Sequence, residues 1–291
     1  MVYVADFSNQ QVVCFSPDGR LLWRSGREGE GPGEYRALYR LDAPLDGHVY
    51  AFDRRQNQLT TLDRDGTFVN RRQVMVGFHQ IDQIVVLDDG HIAVAGVLRF
   101  GGQPGADSAV HVLSNEALEL TRSFGPLPVV ANPDVLQFWG AGGLSLLPNG
   151  DLLFVRRIPY EIYQYTPAGT LRGVLRPPLT QRGTPDDAFD LAYEGRGMRV
   201  RPLPADSVEI LSPLRAISLG DGWILGGHRV GEVRYLDLFS PDGQYAGSRA
   251  MMPEWGPVIG FDSSRGVLWL GGHDDMEPVL WRLSIVLERG Q

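Results

Sequence analysis

Cysteine is nearly missing: Cys14 is the single one in 291 residues. One thiol excludes an internal disulfide and a cysteine-based zinc site. Its setting, QVVCFS, reads as a small buried hydrophobe. No apolar run approaches the roughly 20 residues a membrane-spanning helix needs. Residues 1–20 lack both a basic start and the unbroken apolar stretch of a secretory leader, so the sequence as written reads as soluble. Positive charge is in deficit, with 27 Lys and Arg against 35 Asp and Glu and a net charge of −8. Phosphate-rich partners attract basic surfaces, which disfavours nucleic acid and anionic membranes, although arginine is plentiful enough for a local basic patch. Helical periodicity is almost absent, and a two-domain α/β reading fails with it. There is no P-loop, no dinucleotide fingerprint, no Gly-x-Ser-x-Gly elbow and no His-Glu-x-x-His. GEGPGE is rich in glycine but lacks the lysine and the following helix of a phosphate cradle.

Turn residues are abundant. The 36 glycines and 20 prolines make up about a fifth of the chain, against an average of roughly 12%. Many glycines recur in one phrase: an apolar strand, a turn, another strand. A first set comprises LDGHVYAFD (Gly47), LDDGHIAVAG (Gly90), LPNGDLLFV (Gly150), GDGWILGGH (Gly222) and SSRGVLWLGGH (Gly266). A second comprises FSPDGRLLW (Gly19), LDRDGTFVN (Gly66), YTPAGTLRG (Gly169) and FSPDGQYAG (Gly243), with LSNEALEL filling one slot without glycine. Tight hairpin turns need positive φ, which glycine adopts at least cost. The sets alternate, and 43 residues separate Gly47 from Gly90 while 47 separate Gly19 from Gly66.

That period suits a four-stranded meander, strands A to D, with hairpin turns at A–B and C–D. Successive units of this kind predict an all-β, six-bladed β-propeller of four-stranded antiparallel blades, because sheets set around an axis cover one another's faces. The expected domain is single, 1–291. Blades two to five centre on 36–73, 81–124, 142–175 and 214–248. The first blade has strands near 2–5, 11–16 and 20–25 but lacks its strand A. The sixth, about 256–284, lacks its strand D. Both strands would lie upstream of Met1, so the sequence reads as a truncated form of a longer protein. The alternative is that residues 285–291 fold back as a closing strand.

The opening stretch, VYVADFSNQQVVCFSPDGRLLWRSGREGEGPGEY, resembles an NHL-type repeat with its strand-Asp-x-x-Asn-strand-x-Pro-Asp-Gly pattern. GREGEGPGEYRAL and YEIYQYTPAGTLRGVLRPP are similar to segments of bacterial six-bladed propeller proteins, many exported or lipid-anchored. FDRRQNQL departs from the pattern, with one more residue between Asp53 and Asn57. The resemblance implies a periplasmic or surface-anchored parent and carries no specific activity.

In such a fold the B–C and D–A loops share the top face. Strand B ends there at Asp6, Asp53, Gly96, Arg156, His228 and Gly272, the last followed by His273. Asp6 with Asn9, and Asp53 with Asn57, suit side-chain-to-backbone bonds that shape a turn. Arg156 is expected either on an ion-paired rim or on an anionic ligand. Paired glycines in the two GGH sequences let a backbone approach a ligand or a neighbour closely. A divalent metal on His228 and His273, with oxygen from Asp274, Asp275, Glu232 or Glu277, is the second reading; two histidines without fixed short spacing are a poor metal signal. Among the D–A connectors, Gly26–Arg36 reads as a glycine-bent structural loop. Phe138 and Trp139 suit either core packing or stacking on a flat ligand. The longest insertion, about 176–213, holds Arg182 and TPDDAFDLAYEG, read as a short helix capped by Thr184 and ended by Gly195. Such a segment suits a lid or partner surface. Two functions follow: a binding module for a protein, peptide or glycan at the top face, with Arg156, His228, His273, Trp139 and Arg182 as contacts, or a metal-assisted lyase or lactonase.

Overall fold

A computed structural model describes residues 1–44, 46–99, 104–129, 136, 140–157, 160–176, 191–194, 197–200, 216–230, 233–251, 255–262, 266–274 and 277–284. Residues 191–194, 197–200, 220, 228–230, 255–262, 271–274 and 277–281 are described by backbone alone. The chain is an all-β propeller with four-stranded antiparallel blades. It falls into two compact units, one of Met1–Pro126 with Gln137–Ala141, the other of Leu127–Leu136 with Gly142–Gln291. Among the described residues no helix is long and apolar enough to cross a membrane.

In the first unit β1 (Val2–Asp6), β2 (Gln11–Phe15) and β3 (Leu21–Ser25) form a three-stranded sheet. Two four-stranded meanders follow: β4 (Leu38–Asp42), β5 (Val49–Asp53), β6 (Gln58–Leu62) and β7 (Phe68–Gln73), then β8 (Phe78–Val86), β9 (Ile92–Leu98), β10 (Ser108–Leu113) and β11 (Leu120–Pro126). In the second unit a meander runs through β12 (Gly142–Leu146), β13 (Leu152–Arg156), β14 (Glu161–Tyr165) and β15 (Leu171–Leu175). A hairpin follows, β16 (Leu191–Glu194) with β17 (Gly197–Val200). Another meander comprises β18 (Ile217–Gly220), β19 (Trp223–Val230), β20 (Val233–Phe239) and β21 (Tyr245–Ala250). The last sheet is three-stranded: β22 (Trp255–Asp262), β23 (Val267–Asp274) and β24 (Glu277–Ser284).

Alternation decides which side chains meet. Within each unit, one face of a sheet packs on the next. Phe52 and Leu59 pack with Phe78, Ile84 and Ile92, while Val155 and Ile162 pack with Ile224 and Phe239. The seam around Phe52, Leu59, Phe78 and Ile84 encloses an apolar void of about 10 Å³, room for a single water at most. Among the described residues the outer strands β3, β7, β15 and β21 are the most exposed. They carry Arg24, Arg71, Arg72, Arg172 and Arg249 along their edges, where charge discourages edge-to-edge pairing.

All nine turn glycines of the two sequence sets take positive φ, between 62° for Gly266 and 88° for Gly47 and Gly169. In LSNEALEL that conformation falls on Leu118, with φ 51°. Its side chain is fully buried in the Phe52–Ile92 cluster, and that burial offsets the left-handed strain.

Two expectations need correction. The chain over 191–194 is strand, paired with 197–200, rather than the end of a helix closed by Gly195. Antiparallel pairing of Leu191 with Val200 through Glu194 with Gly197 takes up the backbone hydrogen bonds that a helix would have used. The loops after β1 and β5 are also equal in length, 7–10 and 54–57, and their left-handed residues are Gln10 (φ 55°) and Asn57 (φ 52°). Asn57 therefore corresponds to Gln10, not Asn9, and the supposed extra residue disappears.

Candidate functional site

In each four-stranded sheet the second strand ends, and the third begins, at the end where the chain enters; in the first sheet β1 and β2 meet at the equivalent end. In the first unit this end is tied together by polar side chains. Asp53 is 1% exposed. Its Oδ2 accepts the N–H groups of Arg36 (2.6 Å) and Ala37 (3.1 Å), and its Oδ1 accepts that of Gln56 (2.8 Å). Asn57 Nδ2 donates to the carbonyls of Val74 (2.8 Å) and Val76 (3.0 Å), on the path into β8. Gln10 Oε1 accepts the Leu38 N–H at 2.7 Å. The turn-shaping role read for Asp53 is what its geometry gives, and both left-handed residues also reach forward into the next sheet. The connector Gly26–Arg36 wraps Glu34, which takes the Gly31 N–H and Arg27 Nε at 2.7 Å each. The Gly31 amide first, then Arg27, holds the Glu34 carboxyl below its ordinary range.

Beside these ties lies a cluster of different character. The Tyr39 ring has the Arg40 guanidinium 3.9 Å and the Arg54 guanidinium 5.3 Å from its centroid, and the Phe7 ring at 6.2 Å. Gln80 Nε2 donates to the Tyr39 hydroxyl at 2.6 Å. Arg40 Nε bonds the Asp82 carbonyl, and Arg54 Nη2 donates to the His79 carbonyl at 3.2 Å. Phe7 is 52% exposed, and Arg54 and Arg55 are exposed. Guanidinium on an aromatic face is held in plane by cation–π attraction, leaving an aromatic and cationic surface pre-set to meet a flat or anionic group.

In the second unit Arg156 ends β13 and is 9% exposed. Its guanidinium pairs with Glu161 at the start of β14 and lies 5.3 Å from the Tyr163 ring centroid. Arg176 Nε reaches the other Glu161 oxygen at 2.6 Å, and the Tyr163 hydroxyl donates to Glu161. Burial pushes the Glu161 carboxyl up. The Tyr163 hydroxyl, Arg176 and Arg156 outweigh that and leave it below the usual carboxylate range. Burial first, then the Glu161 bond, raises Tyr163 to about 12. Of the two settings expected for Arg156, its geometry is that of the ion pair.

The first GGH is occupied by protein. A Cβ on Gly226 would stand 2.5 Å from the Tyr160 hydroxyl and 2.8 Å from Ile162 Cδ1. Tyr160 reaches over the Gly226–Asp237 pair. Burial, then Asp237, pushes its hydroxyl well above its ordinary range. Asp237, fully buried, also takes the Ser248 hydroxyl. The glycine thus serves the approach of a neighbouring sheet.

Positions 228 and 273 lie in β19 and β23, opposite Tyr235 and Pro278. The side chains of His228, His273 and Asp274 lie outside the described residues, as do Phe138, Trp139, Arg182, Thr184, Glu232 and Asp275. Among the described residues no three His, Cys, Asp or Glu side chains cluster as a metal site would require.

No family model matches the chain, and a search of curated proteins finds no match. Solved structures do resemble it in fold. A candidate exported protein of Bacteroides fragilis is 11% identical with a TM-score of 0.59, over 92% of this chain and 75% of that one. A gluconolactonase of Xanthomonas campestris is 15% identical with a TM-score of 0.54, over 97% and 81%. A luciferin-regenerating enzyme is 10% identical with a TM-score of 0.56, over 98% and 87%. Likeness at this identity speaks for the fold alone.

The Phe7–Tyr39–Arg54 cluster was missed in the sequence. Its residues belong to three segments, DFSN, ALYRLD and FDRR, joined by the pairing of β4 with β5 and the packing of β1 beside β4. The sole local signal is the run of tyrosine and arginine just past the glycine connector.

Proposed function

We propose that the chain is a ligand- or protein-binding propeller and that Phe7, Tyr39, Arg54 and Arg55 form part of its binding surface. The observation that carries this reading is the partly exposed Tyr39 ring with two guanidiniums close to its centroid. Tyrosine and arginine dominate binding energy at interfaces. The carboxylates nearby are committed to backbone N–H groups, so this end holds no prearranged acid–base pair among the described residues. The partner class is a protein, peptide or glycan. The same reading takes the multi-stranded sheets as six blades of one domain, 1–291, with NHL-type repeats and an insertion at about 176–213. An exported, periplasmic or surface location goes with it, supported by the fold likeness to the Bacteroides fragilis protein.

The second reading, a metal-assisted lyase or lactonase, draws support from the fold likeness to a gluconolactonase. It needs His228, His273 and a carboxylate such as Asp274 around one point.

The test is binding of the whole chain to arrayed peptides and glycans. Wild-type protein is expected to select a subset. Tyr39→Ala and Arg54→Ala are each expected to weaken binding about tenfold or more, with Arg54→Ala leaving thermal stability unchanged. Binding by Arg54→Ala equal to wild type on every selected probe would contradict the assignment.

A further inference from the structure

The Tyr39 surface is rich in hydrogen-bond donors. Arg40 uses Nε on the Asp82 carbonyl and Nη1 on the Tyr39 carbonyl at 3.0 Å, and Arg54 uses Nη2 on the His79 carbonyl at 3.2 Å. A guanidinium carries more N–H groups than these bonds take. The Tyr39 hydroxyl accepts from Gln80 at 2.6 Å, which leaves its own O–H to donate. The acidic side chains beside it are committed to backbone. Asp53 holds the N–H groups of Arg36, Ala37 and Gln56, and Asp82 Oδ2 holds that of Ala141 at 2.5 Å. Among the described residues Arg36 pairs with Glu30 at 2.8 Å, whereas Arg40, Arg54 and Arg55 form no ion pair. Arg54 and Arg55 are exposed. Three guanidiniums without a carboxylate, two of them over one ring and the third on the next residue, thus stand in a chain of net charge −8.

A neutral sugar or amide brings donors as well as acceptors, and its donors would go unmatched here at a cost. A carboxylate brings acceptors only, and its paired oxygens fit the guanidinium fork. The Arg40 guanidinium, 3.9 Å over the Tyr39 ring, already covers a face on which a sugar ring would stack. Aspartate and glutamate side chains reach the same donors without that face. We propose that the ligand of this surface is an acidic peptide, its neighbouring carboxylates held by Arg40, Arg54 and the Tyr39 hydroxyl, with Arg55 adding attraction. At physiological salt the screening length is about 8 Å, so these local guanidiniums outweigh the distant carboxylates that make the whole chain acidic. The inference rests on the binding role proposed above and narrows it to one class of partner.

The probe is labelled hexaglutamate, titrated against the whole chain by fluorescence anisotropy beside hexaserine and tetragalacturonate. Saturable binding of hexaglutamate is expected, weakening as salt rises, with hexaserine unbound and the acidic sugar bound more weakly. Arg54→Ala and Arg54→Lys are each expected to weaken it about tenfold or more, because lysine keeps the charge and loses the fork. Arg249→Ala removes the same charge from an exposed position on β21 and is expected to change nothing. No saturable binding of hexaglutamate overturns the inference. So does equal binding by Arg54→Lys, the mark of unspecific attraction, and so does tighter binding of tetragalacturonate. Neutral probes that bind and are weakened by Arg54→Ala, with hexaglutamate unbound, would overturn the acidic peptide and keep the binding surface. An Arg54→Ala variant that binds every selected probe as wild type does would overturn both.

Discussion

Replacing Gly142 by alanine is expected to destabilise the protein by about 3–5 kcal/mol, the sum of left-handed backbone strain and an overpacked contact. Gly142 opens β12 with φ at 152°, opposite Arg156. A Cβ there would stand 1.9 Å from the Val155 carbonyl oxygen and 3.0 Å from its carbon. Both are backbone atoms of the paired strand and cannot swing aside as a side chain would. Relief would require β12 to withdraw from β13 and take Leu144, fully buried, with it. Against a typical stability of about 5–15 kcal/mol, this is a large share. Gly173 is the control, since a Cβ there meets nothing within 4 Å, and Gly173→Ala is expected to stay within about 0.5 kcal/mol. Urea denaturation of the two variants measures the difference, and comparable stabilities would refute the close-contact account.

Acid should weaken the fold through His111. This imidazole is fully buried, with Nε2–H donating to the Gly96 carbonyl at 3.2 Å and Nδ1 taking the Ser123 hydroxyl at 2.9 Å in the neutral form. Burial pushes its pKa down from 6.5 to about 4, against the opposing pull of the Gly96 and Ser108 backbone. Above pH 6.5 the ring is neutral in both folded and unfolded chains, and its contribution does not vary. Between 6.5 and about 4 the unfolded chain takes up a proton that the folded one refuses, so stability falls as pH falls. The slope is about 1.4 kcal/mol per pH unit, for a total of roughly 3 kcal/mol. Carboxylates titrate in the same window, so the measurement is the difference between wild type and His111→Gln. That variant is expected to be the less stable at neutral pH and to close the gap by about pH 4. A gap independent of pH would show that the ring takes up a proton as readily in the folded chain as in the unfolded one, and would contradict this.

What the sequence makes legible is local. A hairpin turn demands positive φ at one position, and all nine glycines chosen on that ground have it. The one slot without glycine hid its answer, because Leu118 accepts the same strain in return for burial. Strand limits follow from alternation, and the described strands fall within a few residues of those expected. What the sequence obscures depends on contacts between distant segments. The left-handed residue before a third strand is defined by conformation, so matching by residue name paired Asn57 with Asn9 when Gln10 holds the equivalent place. The Thr-Pro-Asp-Asp signal near 184 marks where a helix could start and says nothing of how far it runs; pairing claims 191–194. The glycines of the first GGH do signal a close approach, but the visitor is Tyr160, about 65 residues earlier in the chain. Tyr39 and Arg54 look ordinary until β4 and β5 pair.

Charged groups at the sheet ends hold backbone and one another, and the function we propose for the protein is binding. The metal content of the purified chain, measured as ions per protein after equilibration with excess divalent cation and desalting, tests this most directly. The account predicts no stoichiometric ion. One tightly held ion per chain, lost in both His228→Ala and His273→Ala, would contradict it and place metal chemistry at the centre of the protein's function.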